Sequence, residues 1–161
     1  MAHFAHLNSE NKVIRISVVS NDIETSDGPL GENDMHVDGE TWCQNFHSGK
    51  PWTVDNGIVS WKQCSYGGSF RKAYPQIGAT YDSVRDEFVQ LQPYPSWTLN
   101  ATNDWVSPLA NNPEFGSSQD WDAGATMPSW DEENQRWTSI RTEGQENPDV
   151  WNPSTQQWDL A

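Results

Sequence analysis

Cys43 and His47 have the residue types and the spacing of a catalytic pair. They are four positions apart, so a helix would place the thiol and the imidazole on one face. A thiol beside an imidazole can become an activated nucleophile. The same spacing also arises when a small cysteine packs inward and a histidine ends the helix. We favour this second interpretation, which gives neither residue a catalytic role.

The other histidines are poorly placed to hold a metal ion. His3 and His6 lie three positions apart on a predicted strand, so their side chains point to opposite faces. His36 and His47 stand in unrelated sequence contexts. The sequence also contains no Gly-rich phosphate loop and no dinucleotide-binding fingerprint. We therefore expect neither a metal site nor a cofactor.

Paired carboxylates are the remaining candidates for bond-breaking chemistry. Asp86-Glu87 and Glu132-Glu133 could serve as the acid and base of a glycoside hydrolase. Both pairs fall in predicted turns, where we expect carboxylates to be solvated. The sequence therefore predicts a protein without enzymatic activity.

The unusual feature of the composition is aromatic. The 161 residues include ten tryptophans, whereas Leu, Ile and Val are scarce. Aromatic side chains bury large areas and favour β-structure, so we expect a core of aromatic residues on strands. Exposed rings can also stack on sugars, and Trp121, Trp130 and Trp151 are candidates. For each of the three, hairpin core is the interpretation that we favour.

A hairpin unit recurs along the chain. In each copy an aromatic residue precedes Asp or Asn, and a second aromatic follows the first by seven positions: Tyr81-Asp82 with Phe88, Trp130-Asp131 with Trp137, and Trp151-Asn152 with Trp158. Trp97 with Trp105 is one residue longer, and Leu7-Asn8 with Val13 is a shorter, aliphatic version. We predict that Asp or Asn starts each turn by accepting backbone hydrogen bonds, and that the two aromatics pair across the hairpin.

One such hairpin is marginal in water, because a cross-strand aromatic pair contributes only about 0.2–1 kcal/mol. The units must therefore stack on one another or on a partner. The tryptophans of the C-terminal part are our interface candidates: Trp121, Trp130, Trp137, Trp151 and Trp158.

Other local signals predict the remaining elements. Residues 2–8 and 12–20 predict a hairpin with a polar turn, and residues 21–38 predict a surface loop. A helix of about 10 residues follows, with Asp38 as its cap and Gly49 as its stop.

The fold class predicted from these elements is mainly β. Residues 52–64 predict a second hairpin that turns at Asp55-Asn56-Gly57. Over residues 1–105 we expect a compact β-sandwich or barrel-like body with one short helix. Over residues 106–161 we expect an acidic C-terminal extension of Trp-anchored β-hairpins, because Pro-rich breaks separate the units there.

The formal net charge of −14 limits the partners. Nucleic-acid binding needs clustered Lys and Arg, and an anionic membrane surface would repel the chain. The charge favours solubility at high copy number or docking onto a basic surface. No stretch reaches the roughly 20 apolar residues of a membrane span, and the N-terminus lacks the pattern of a signal peptide.

Several stretches resemble a family of small virion-associated proteins of marine tailed bacteriophages, notably those that infect cyanobacteria. The stretch from Trp61 to Trp97 is the most specific, and together the stretches cover about half of the chain: MAHFAHL, NKVIRISVVSN, SWKQCSYGGSFRKAYPQIGATYDSVRDEF and QPYPSWTLN. The resemblance implies a virion protein and supplies no catalytic residues. Residues 28–56 and the tail from residue 106 depart from the family pattern.

Two functions follow as expectations. The first is an accessory structural protein of a phage virion, either a capsid decoration or a tail-associated protein, assembled in the bacterial host cytoplasm. It would act by docking on major capsid or tail proteins, or on copies of itself. The alternative is a receptor- or carbohydrate-binding module of a tail or fibre. The sequence does not decide whether Cys43 and Cys64 form a disulfide.

Overall fold

The structure is a computed structural model that describes most of the chain: residues 1–26, 28–30, 37–113, 127–140 and 144–161. The chain divides into two compact units, Met1–Leu91 and Gln92–Ala161. This boundary lies before the expected boundary at residue 105. The physical reason is Trp97, whose ring packs on Trp130 and Trp137 within the second unit.

The first unit confirms the mainly β class and contains more helix than expected. Its elements, in chain order, are β1 (Ala2–Asn8), β2 (Val13–Val19), β3 (Glu24–Thr25), β4 (Gly28–Pro29), α1 (Val37–His47), α2 (Pro51–Asp55), β5 (Ile58–Cys64), β6 (Thr80–Asp82) and β7 (Glu87–Val89). The predicted N-terminal hairpin is confirmed as β1 and β2. The segment predicted as a surface loop contains the short β3–β4 pair.

The core of this unit lies on both sides of strand β1. Strands β2, β1 and β5 form an antiparallel sheet in that order, with β1 in the centre. Phe4 packs on one face with Cys43 and other apolar residues, and Leu7 packs on the opposite face with Phe88. Because successive side chains of a strand alternate between faces, β1 fills two cores at once.

Helix α1 covers the Phe4 face of the sheet and confirms the predicted helix. Gly49 ends the turn after the helix with a φ of 74°, which a residue without a Cβ adopts easily. Asp38 lies in the first helical turn and not at the cap, since the helix begins at Val37. Gly39 lets the helix approach closely, because a Cβ there would lie 2.5 Å from Leu30 Cδ2.

Helix α2 corrects the predicted hairpin at residues 52–64. Pro51 starts this helix, where its fixed φ suits the first turn. Asn56 caps its C-terminus and Gly57 follows with a φ of 63°. The Asp55-Asn56-Gly57 signal therefore ends a helix, and β5 pairs with β1 instead of with residues 52–55.

The body is mainly β, as expected, with two helices in place of the one that was predicted. Helix α1 covers one face of the three-stranded sheet, and the β6–β7 hairpin covers the other face through Tyr81 and Phe88. No sheet among the described residues closes on itself.

The second unit is built from hairpins. Its strands in the described ranges are β8 (Thr98–Leu99), β9 (Trp105–Val106), β10 (Ser129–Asp131), β11 (Arg136–Ser139), β12 (Asp149–Asn152) and β13 (Gln157–Asp159). Strands β10 to β13 form one antiparallel sheet in sequence order. The two C-terminal hairpins are joined edge to edge, because Thr138 in β11 pairs with Val150 in β12. The predicted Trp-anchored hairpins are thus present, and they associate by forming one continuous sheet.

The predicted aromatic pairs lie directly opposite each other in all three repeats: Tyr81 with Phe88, Trp130 with Trp137, and Trp151 with Trp158. The Asp or Asn side chain accepts backbone N–H hydrogen bonds at the start of each turn, as at Asp82, where the Val84 donor lies at 2.9 Å. The fourth loop residue has a positive φ in each case: Asp86, Gln135 and Gln156. The sequence prediction of this motif is confirmed.

The predicted pairing of Trp97 with Trp105 is wrong. Trp105 lies opposite Leu99, and Asn100 accepts the turn hydrogen bonds from Thr102 and Asp104. The paired residues Leu99 and Trp105 are six positions apart. Leu7 and Val13, which also lie opposite each other, have the same spacing. Trp97 packs against the neighbouring tryptophans instead.

Candidate functional site

The Cys43–His47 pair lies on α1, but the environment of the thiol opposes nucleophilic chemistry. Cys43 is fully buried in the core. Burial, assisted by the charge of Glu40, raises the pKa of this thiol to about 12. Burial and the nearby cations Lys50 and Arg15 lower the pKa of His47. At neutral pH the pair is a protonated thiol beside a neutral imidazole. Cys64 is also buried, and neither cysteine forms a disulfide.

The histidines of β1 lie on opposite faces of the sheet, as predicted. His3 contacts Tyr74, whose hydroxyl lies 3.1 Å from Nδ1. His6 is fully buried beside His47 and Trp61. Within the described part of the chain, no three His, Cys, Asp or Glu side chains are grouped to hold a metal ion.

Asp86 does not lie free in solvent, contrary to the expectation for its acidic pair. Its Oδ1 accepts hydrogen bonds from Arg71 Nε at 2.7 Å and from the Tyr81 hydroxyl. Burial acts to raise the pKa of Asp86, but these two hydrogen bonds and the positive charge of Arg71 hold it below its usual value. Arg71 also donates to Glu40 at 2.6 Å and to the Gln63 carbonyl at 2.7 Å. The carboxylate therefore belongs to a network that ties α1 to the β6–β7 hairpin.

Glu132 likewise has a structural role within the second unit. Its two carboxylate oxygens accept hydrogen bonds from the Ser96 amide and hydroxyl, each at 2.8 Å. Trp130 Nε1 donates to it at 2.7 Å. The expectation of a solvated carboxylate is wrong here as well, because Glu132 holds the segment before β8 against the β10–β11 hairpin.

The tryptophan interface candidates fall into three groups. Trp130 and Trp137 are each only 6% exposed, since Trp97 packs edge-on against both rings. Trp151 and Trp158 are half-buried and pack edge-on against each other. Trp121 lies outside the described residues. An interface role thus stays a prediction, and of the described four only Trp151 and Trp158 have accessible rings.

A surface that the sequence did not indicate lies on the first unit. We call it the cation–aromatic face, and it consists of Arg15, Phe46, His47, Lys50 and Trp52. Phe46 is 50% exposed and Trp52 is 41% exposed. Lys50 Nζ lies 3.4 Å from the centre of the Phe46 ring, and Arg15 Cζ lies 4.9 Å from that of Trp52. His47 contacts Phe46 edge-on, and the rings of His47 and Trp52 both pack against the buried His6 ring beneath the face.

The local charge of this face is opposite to that of the whole chain. The charges that act most strongly on His47 are those of Lys50 and Arg15, and both lower its pKa. The same residues include large aromatic rings, and Trp and Arg are the residue types enriched at the centres of protein interfaces. The face therefore has the composition of a docking surface for a protein with apolar and carboxylate groups.

Sequence reasoning missed this face because Arg15 is distant in sequence from the other four residues and because the turn between α1 and α2 was not predicted. Trp52 was assigned to a strand, whereas it lies in α2, and Arg15 comes from β2. One local signal was present: Lys50 follows Phe46 by four positions, which places them on neighbouring turns if the helix continues.

Comparison with protein families, with curated proteins and with solved structures finds no match in any of the three. Among the residues that the structure describes, no helix has the length and apolar character needed to cross a membrane.

Proposed function

We propose that this protein is an accessory structural protein of a bacteriophage virion, and that it docks without catalysis on another protein of the particle. The observation that carries the docking role is the cation–aromatic face. The virion location is supported by the resemblance of Trp61–Trp97 and of the N-terminal hairpin to a family of small, uncharacterised virion-associated proteins of marine tailed phages.

The partner surface inferred from this face is apolar with carboxylates at its edge. The exposed rings of Phe46 and Trp52 would supply the buried contact. Arg15 and Lys50 would pair with carboxylates at the rim. The net charge of the chain had suggested a partner with a basic surface. Charges more than roughly 8 Å apart are screened at physiological salt, so the charges of the face itself determine which partner surface binds.

The test uses particles from a phage that lacks the gene, mixed with the purified full-length chain. The Arg15→Glu/Lys50→Glu variant should cosediment with particles at least about tenfold more weakly than wild type, a loss of about 1.4 kcal/mol or more. Binding is measured by sedimentation over a range of chain concentrations.

The matched control is Lys12→Glu/Arg85→Glu, which changes the net charge equally at exposed positions outside the face. This control should bind like wild type. Equal loss in both double variants would show that net charge, and not this face, controls association. Failure of the wild-type chain to cosediment would contradict the docking role itself.

A further inference from the structure

A groove of about 590 Å³ lies in the second unit beside the last hairpin. It is lined by Ala110, Asn111, Asn112, Trp151 and Gln156. Its volume is within the range of about 300–1,000 Å³ that is usual for small-molecule sites. An indole ring and three amide side chains thus share one open, mostly polar depression.

The indole of Trp151 is held in place by the groove wall. Its Nε1 donates to the Asn111 carbonyl at 2.9 Å, and Asn111 Nδ2 donates to the Pro153 carbonyl at 3.0 Å. The ring also packs edge-on against Trp158. Because these contacts fix the ring before any ligand arrives, little ordering cost would oppose binding to it.

The amide groups of the groove retain hydrogen-bonding capacity. Asn112 Oδ1 accepts from Ser107 and from Trp137 Nε1, but no hydrogen bond uses its Nδ2 within the described part of the chain. The side chain of Gln156, at the positive-φ position of the β12–β13 turn, likewise makes none with described residues. An amide offers both a donor and an acceptor, as a sugar hydroxyl does.

The electrostatics of the unit select against charged ligands. Residues 92–161 contain 11 acidic and two basic side chains, and Arg136 does not line the groove. No charged side chain lines the groove within the described part of the chain, so neither an anion nor a cation would meet an opposite charge there. A neutral ligand with an apolar face and many hydroxyls fits best.

We propose that this groove binds a neutral oligosaccharide, with one sugar ring stacked on Trp151 and its hydroxyls hydrogen-bonded to Asn112 and Gln156. The C–H face of a pyranose presents partial positive charge to the negative face of the indole. The inference is independent of the docking role of the first unit, since the two surfaces share no residue.

The test titrates the full-length ¹⁵N-labelled chain with neutral hexasaccharides of glucose, galactose, mannose and N-acetylglucosamine, and with a uronic-acid hexasaccharide as the anionic comparison. Spectra are recorded up to about 10 mM sugar, where a Kd near 1 mM is visible. The expected result is a shift of the Trp151 indole N–H resonance by at least one neutral sugar, and a smaller response to the anionic one.

Two variants assign the binding to the groove. Trp151→Leu should weaken binding at least about tenfold, and Gln156→Gly should weaken it by a smaller factor. Gln156→Gly keeps the fold, because its φ of 54° suits glycine. Gln135→Gly is the matched control, since Gln135 has a φ of 48° at the same turn position of the neighbouring hairpin. This control should bind like wild type.

Three outcomes would overturn the proposal. The first is no response to any neutral sugar. The second is binding that survives both Trp151→Leu and Gln156→Gly, which would place the site elsewhere. The third is stronger binding of the anionic hexasaccharide, which would contradict the ligand class.

Discussion

The first unit buries a strand between two layers, whereas the second unit packs hairpins against one another. In the first unit, β1 contributes to cores on both of its faces, and residues distant in sequence fill them. In the second unit, each described strand pairs with a neighbour close in sequence. The same turn motif occurs in both units. Its three copies therefore show how strongly the surrounding structure changes the burial of the aromatic pair.

Burial of the aromatic pair differs among the copies. Phe88 of the first unit is 1% exposed, whereas Trp158 of the last hairpin is half-buried. Their hairpins have the same loop length and the same type of side-chain hydrogen bond at the turn. The turn therefore specifies the hairpin, and tertiary packing determines how much free energy the aromatic residue contributes.

The largest expected effect is a difference in stability loss between the hairpin that contains Phe88 and the hairpin that contains Trp158. Phe88→Ala should lower the free energy of unfolding by about 3–5 kcal/mol, because it leaves a cavity in a closed core. Trp158→Ala should cost less, about 1–2 kcal/mol, because much of its area is already in water. Urea unfolding followed by circular dichroism measures both. Equal losses would mean that the hairpins, and not their surroundings, set the stability.

The second expectation concerns the network that links α1 to the β6–β7 hairpin. Arg71→Met should destabilise the first unit by about 1–3 kcal/mol, since it leaves Glu40 with Lys62 as its one remaining cation and removes the cation that pairs with Asp86. Adding Glu40→Gln should recover part of the loss. If the single and double variants unfold at the same urea concentration, the ion pair does not couple the two elements.

The third expectation is a pH dependence confined to the first unit. Burial, His47 and Arg15 lower the pKa of His6 to about 4. The unfolded chain binds this proton near pH 6.5, so stability should fall as the pH drops from 6.5 towards 4, by about 2–3 kcal/mol in total. Replacing His6 with Gln should reduce the slope of the unfolding free energy over this interval without abolishing it, because the pKa of His47 is also lowered in the fold. An unchanged slope in the variant would exclude His6 as the cause.

The smallest expected effect tests the close approach of α1 to the sheet. A Cβ at residue 39 would lie 2.5 Å from Leu30 Cδ2 and 2.9 Å from Phe4 Cζ. Gly39→Ala gains about 1 kcal/mol of helix propensity, but overpacking costs about 1–3 kcal/mol. We expect a net loss near 1 kcal/mol in urea unfolding. A net gain would show that Leu30 moves aside freely.

The elements that sequence reasoning predicted are those whose information is local. The Tyr81–Phe88 register follows from the aromatic spacing and from Asp82, and the end of α1 follows from Gly49. Helix α2 was missed because Asp55-Asn56-Gly57 ends a helix as well as it turns a hairpin. Pro51, one residue before the predicted strand, was the signal that distinguishes the two cases.

The surfaces were harder to predict than the elements, because each combines distant segments. The cation–aromatic face brings Arg15 of β2 to Trp52 of α2, and the groove brings Asn111 to Trp151. Trp130 was a candidate for an exposed ring, but its ring packs against Trp97, which no local pattern indicated. Tertiary contacts alone decide which tryptophans reach the surface.

The most direct test of the docking account is quantitative mass spectrometry of washed, intact particles from the phage that encodes this chain, scaled against the major capsid protein. The account predicts that the chain is present at a fixed ratio. A ratio comparable to the capsid subunit would indicate decoration, and a small number of copies would indicate the neck, tail or fibre. Absence of the chain from intact particles would contradict the account.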